Sequence, residues 1–110
     1  PLDAIVLGPP LTQGDIIKVK ILGIIRMNDF GEIDDKIIAA PINNNFSKFE
    51  NLLHLKSKHP LILNKIKDWF ENYKGKNIVK FKNFGSVTEA NKLIEYTNNH
   101  YKKNGLKPRS

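Results

Sequence analysis

The stretch "MNDFGEIDDKIIAAP", Met27 to Pro41, decides how this chain is read. Its last six residues form a short apolar run closed by proline, which reads as a strand. Its first part gathers four acids, Asp29, Glu32, Asp34 and Asp35, into seven positions and then presents Lys36. Like charges this close repel one another when unpaired. Just upstream, "IIKVKILGIIRM" over residues 16–27 alternates, with Ile17, Val19, Ile21, Ile25 and Met27 on one face and Lys18, Lys20 and Arg26 on the other. Period two predicts a half-exposed strand. Gly23 inside it predicts a bulge or a bend. The acidic stretch is therefore the connection between two strands.

Working outward, "DAIVLG" over 3–8 reads as a short buried strand, and 9–15 as a turn rich in Pro and Gly. Beyond Pro41, Ser47 and Glu50 have capping-box spacing and predict a short helix. Pro60 suits the first turn of the next helix, on which Ile62, Ile66, Trp69, Phe70 and Tyr73 share one face. Trp69 is expected in the core, and Gly75 ends this helix. "NIVKFKNF", 77–84, alternates as a strand. Ser86 with Glu89 is a second capping box, and Val87, Ala90, Ile94, Thr97 and Tyr101 line a final helix that Gly105 stops. Strands, helix, strand and helix in this order read as α+β.

The bulk properties bound the function. At 110 residues the chain is the size of one domain, 1–110. It has no cysteine, which excludes disulfides and thiolate metal sites and favours a cytoplasmic or organelle-matrix setting. No apolar run is long enough to span a membrane. The net charge of +7 is split: residues 1–40 hold six acids against four bases, and residues 41–110 hold five against fourteen. A basic surface suggests an anionic partner, nucleic acid or phosphate, although composition alone favours a solvated lysine-rich face.

Each candidate motif admits two readings. A tight loop carrying Asp29 and Asp34 can aim both carboxylates at a hard divalent cation such as Mg²⁺. It can also be an exposed hairpin connection with spare charge, and residue chemistry alone favours that. Asp3 can add a third carboxylate or merely cap a turn. Tyr73, Lys74 and Lys76 sit at a helix end, where cations complement the helix dipole. The same groups can donate to phosphate oxygens. His54, His59 and His100 lack metal-ligand spacing. There is no P-loop, no Rossmann glycine pattern and no Gly-x-Ser-x-Gly elbow.

Taken together and in order, these pieces resemble the soluble inorganic pyrophosphatases of family I. The resemblance rests on "PLD" at 1–3, "GDIIKVKILGII", "MNDFGEIDDKIIAAP" and "IKDWFENYK", and it covers nearly the whole chain. It implies an α+β fold, an OB-like β-barrel with helices packed outside. It implies Mg²⁺-dependent hydrolysis of pyrophosphate to two phosphates by metal-activated water. Asp3, Asp29 and Asp34 then match metal-binding carboxylates, Lys36 a catalytic lysine, and Tyr73 and Lys74 residues that hold substrate phosphate. Glu32 and Asp35 match no family role. The resemblance places further aspartates and several barrel strands before Pro1. The chain is thus expected to be the C-terminal part of such a domain, with N-terminal strands missing and little activity alone. Family members commonly form homo-oligomers, with no membrane involved. The competing expectation is a basic OB-like nucleic-acid-binding module, which explains the charge but not the acidic loop.

Overall fold

A computed structural model describes residues 3–8 and 17–103, with side chains to residue 98. The expected turn at 9–15, the stop at Gly105 and the side chains of His100 and Tyr101 lie outside the described residues.

The strands are β1 (Ala4–Val6), β2 (Val19–Asp29), β3 (Glu32–Ile33), β4 (Lys36–Pro41) and β5 (Val79–Gly85). The helices are α1 (Leu52–Lys58), α2 (Pro60–Asn72) and α3 (Val87–Lys103), with a single 3₁₀ turn at Asn45–Lys48. The strands form one mixed sheet around β2. β4 lies antiparallel on one side of β2 and β5 on the other, and β1 runs parallel along the outer side of β4. β3 is the short return of the β2 hairpin.

The sheet buries both faces. Leu22, Ile25 and Met27 of β2 meet Ile38 and Ala40 of β4, with Phe49, Leu52, Leu55 and Leu63 from the helical segment above them. On the opposite face, Ile24 and Ile37 meet Ala90 of α3, with Ile21, Leu93 and Ile94 around them. Each aliphatic side chain fully removed from water contributes roughly 1.5–3 kcal/mol, so the two clusters carry much of the stability.

The bulge predicted at Gly23 is present, since Ile21 pairs with Ala39 and Gly23 with Ile38, leaving Leu22 as the extra residue. The bulge corrects the face assignment. Ile21 does not share a face with Ile25 and Met27; it packs with Ile24 against α3, while Leu22 takes the other side. One inserted residue reverses which face every earlier side chain occupies. Ile17 and Val19, at the start of the run, are exposed.

Helix starts follow the amide side chains more than the predicted serine. Ser47 does not cap a helix: its hydroxyl sits 2.7 Å from the carbonyls of both Ile42 and Asn44. Asn44 Oδ1 accepts from Phe46 N, and Asn51 Oδ1 accepts from His54 N at the start of α1. The second capping box holds, with Glu89 N donating to Ser86 Oγ at 3.1 Å. Trp69 is the other correction. It is 58% exposed and lies stacked on Tyr73, with centroids 4.7 Å apart. The inner stripe of α2 is Ile62, Leu63, Ile66 and Phe70, and Trp69 falls one residue outside it.

Candidate active site

Strand periodicity places the site. Met27, Ile38 and Ile5 all pack in the cluster beneath α1 and α2. Asp29 lies two residues after Met27, Lys36 two before Ile38, and Asp3 two before Ile5. Side chains two apart on a strand share a face. The core face therefore continues, at one end of the sheet, into Asp29, Lys36 and Asp3, and Asp34 joins them two residues before Lys36. The C-terminal end of α2 brings Tyr73 and Lys74 to the same place.

Ion pairs connect these groups. Lys36 Nζ donates to Asp3 Oδ2 and to Asp34 Oδ1, both at 3.2 Å. The ring of Phe70 lies beneath the ammonium, 5.9 Å to its centroid. Lys74 Nζ donates to Asp29 Oδ2 and also lies over the Tyr73 ring. Phe70 packs edge-on against Tyr73, joining the Lys36 and Lys74 arms through one aromatic support.

The burial is graded, from a Lys36 side chain 12% exposed to Asp34 at 29% and Asp3 at 65%. For Lys36, burial works against the charge, but the hydrogen bonds to Asp3 and Asp34 outweigh it and hold the ammonium above its ordinary pKa. Lys74 is likewise raised, first by its hydrogen bond to Asp29.

All six residues singled out in the sequence, Asp3, Asp29, Asp34, Lys36, Tyr73 and Lys74, thus lie at one end of the molecule. Among the described residues, no three acidic or histidine side chains are gathered closely enough to hold a metal ion by themselves. His54 and His59 lie elsewhere, edge-on to the buried ring of Phe49 at 5.1 and 5.5 Å. The cavity of about 470 Å³ between α1 and the start of α3 is lined by Leu53, Lys56, Phe84 and Thr88, among others, and includes none of the six site residues.

Sequence reasoning missed the partners on the reverse face. Arg26 Nη1 donates to Asp35 Oδ2 at 3.4 Å, and Arg26 Nη2 pairs with Glu89. Asp35, which had no assigned role, also accepts from Met27 N at 3.3 Å. The signal was available: Arg26 is two residues beyond Ile24, and Asp35 two before Ile37, on the α3 face.

A family model for inorganic pyrophosphatases matches residues 1–102. The chain is 38% identical over 99 residues to an inorganic pyrophosphatase of Saccharolobus solfataricus, covering 86% of this chain and 58% of that protein. It is 39% identical over 111 residues to one from Nanoarchaeum equitans, covering 94% of this chain and 67% of that protein. Among solved structures, the inorganic pyrophosphatase of Schistosoma japonicum superposes with a TM-score of 0.85 at 32% identity, covering 94% of this chain and 39% of that one. The Helicobacter pylori enzyme gives 0.80 at 34% identity, covering 93% and 62%. The chain therefore spans between 39% and 67% of the length of these four proteins. The fold is α+β and OB-like, and the chain belongs to the inorganic pyrophosphatase family.

Proposed function

We propose that this chain carries part of a Mg²⁺-dependent site that hydrolyses inorganic pyrophosphate to two phosphates. The observation that supports it most is the meeting of three carboxylates, two ammonium groups and a phenol at one end of one sheet face. The donor set fits the ion. Carboxylate oxygens are hard ligands, and Mg²⁺ usually takes one or two of them alongside waters and phosphate oxygens. Asp3, Asp29 and Asp34 would offer it oxygens, with water and phosphate completing the set, since the three are not gathered closely enough to hold it unaided. When bound, it would supply Lewis-acid charge and lower the pKa of a bound water, so that hydroxide is available near neutral pH once the proton has left to solvent or a base.

The chain's own side chains do the rest. Lys36 and Lys74 offer N–H donors and positive charge to the phosphate oxygens. Tyr73 offers a phenolic O–H. Phe70 restricts where the Lys36 ammonium can go, so that its charge is already placed when charge builds on the leaving phosphate. Self-association and a cytoplasmic setting belong to the same proposal. So does low activity of these 110 residues alone, since they span 39–67% of the length of the four relatives above.

The test is phosphate release from pyrophosphate with and without Mg²⁺, on the longest natural form of the chain, beside Asp34→Asn. Release should require Mg²⁺ and fall about 100-fold or more in the variant, since even outer partners of metal ligands cost 10–100-fold. No release from the folded protein would sink the catalytic reading. Salt-sensitive binding of single-stranded DNA without Mg²⁺ would then favour the nucleic-acid module.

A further inference from the structure

Asp34 and Lys36 can serve the site because they point to the α2 face of the sheet. The strand ladder fixes Lys36, which pairs with Ile25, but it does not include Asp34 or Asp35. The pairing of β2 with β4 ends at Ile25 and Lys36, and its pairing with β3 begins again at Asn28 and Ile33. Between these, Arg26 and Met27 face Asp34 and Asp35 across a gap in the ladder. A slip of one residue there would turn Asp34 to the opposite face and bring Asp35 to the front.

The groups that close the gap are on the page. Asp34 N donates to Met27 O at 2.9 Å. The returning bond, from Met27 N, goes to the carboxylate of Asp35 in place of a backbone carbonyl. The second oxygen of that carboxylate pairs with Arg26, and Arg26 reaches on to Glu89 in the first turn of α3. Glu89 is itself held by the Ser86 cap. The Asp35 side chain is 14% exposed, so its charge is withdrawn from water and needs these partners.

We propose that Arg26, Asp35 and Glu89 form a clasp behind the site that fixes which way residues 34 and 35 face, making Arg26 and Asp35 positioning residues for the acidic loop. The inference rests on the proposed Mg²⁺ role of Asp34. It ties α3, which contributes no proposed ligand, to the geometry of the metal-holding carboxylates.

The test uses the full chain with Arg26→Met, Arg26→Lys, Asp35→Asn and Glu89→Gln. The first readout is amide hydrogen exchange without metal. Arg26→Met and Asp35→Asn should speed exchange at Met27 and Asp34 more than at Ile38 or Ala90. The second readout is a Mg²⁺ titration followed by the amide resonances of Asp34 and Lys36. The half-saturating Mg²⁺ concentration should rise about 10–100-fold in Arg26→Met and Asp35→Asn, the usual effect of losing an outer partner of a metal ligand. Arg26→Lys should recover part of the loss, and Glu89→Gln should show a smaller one. Unchanged Mg²⁺ affinity in Asp35→Asn, or exchange that rises equally at all four amides, would overturn the clasp. If Arg26→Met fails to fold, Asp35→Asn and Glu89→Gln decide. If the wild-type chain shows no Mg²⁺ response, the metal reading of Asp34 fails, while exchange still judges the clasp.

Discussion

At Lys36, burial and charge pull in opposite directions. Burial disfavours the ammonium, and the hydrogen bonds to Asp3 and Asp34 outweigh that penalty, so the folded-state pKa lies above the ordinary value. A raised folded pKa contributes stability that is fully present below the unfolded value, about 10.4 for lysine, and is lost as pH rises through the folded value. Wild type should therefore lose melting temperature above about pH 10, and its advantage over Lys36→Met should shrink along that limb. Thermal unfolding of both proteins between neutral and strongly alkaline pH checks this. A gap that stays constant with pH would show that Lys36 stabilises by packing on Phe70 and not by its charge. Glu89 behaves in the opposite sense. Arg26 lowers its pKa, so its contribution is lost as pH falls through the folded value.

At the scale of elements, the β2 bulge is the decisive feature. A Cβ at Gly23 would lie 2.6 Å from the carbonyl oxygen of Gly85 and 2.6 Å from Leu52 Cδ1. Glycine is thus required by the close approach of β5 and α1. Gly23→Ala should cost about 1–3 kcal/mol, the usual penalty for overpacking a tight core. Thermal unfolding should show the loss as a fall of several degrees, and an unchanged melting temperature would mean that β5 and Leu52 move aside freely. The glycine was legible as a break in the alternation. Its consequence, that Leu22 and not Ile21 shares the face of Ile25, was not, because a bulge reveals its phase only through the strand it pairs with. A similar shift occurs in β5, where Asn83 pairs with Arg26 and Phe81 with Met27, so that Phe81 and Phe84 pack on the same core cluster.

At the scale of the whole molecule, helices cover the sheet on both faces, and among the described residues α2 leaves Leu61 and Trp69 largely uncovered. Leu61 is 63% exposed and Trp69 58%, eight residues apart on one side of the helix. Exposed apolar side chains gathered on one face suit contact with another protein surface, and this supports the proposed self-association. The double variant Leu61→Asp, Trp69→Asp should reduce the sedimentation mass of the longest natural form, while the exposed positions keep it folded. An unchanged mass would place any self-association elsewhere. Tyr73 stacks on Trp69, so loss of association should also disturb the end of α2 proposed to hold phosphate.

The local chain chemistry settled a good deal in advance. Alternation and glycine gave the strands, and Pro60 and Gly75 bracketed α2, whereas the loop of Asp29, Asp34 and Lys36 stood out only through its resemblance to the pyrophosphatases, since residue chemistry alone favoured an exposed hairpin. The strand and helix signals are local properties, set by the period of a strand or helix and by backbone freedom at single residues. The three-dimensional packing decided the rest. It turned Trp69 outward, because the α2 stripe is set by what the sheet offers it. It moved the helix caps to Asn44 and Asn51, because Ser47 is drawn to the carbonyls of Ile42 and Asn44. It brought Asp3 to Lys36 across 33 positions and Glu89 to Arg26 across 63. Such contacts depend on which strands lie side by side, and strand order is a property of the assembled sheet that no local period encodes.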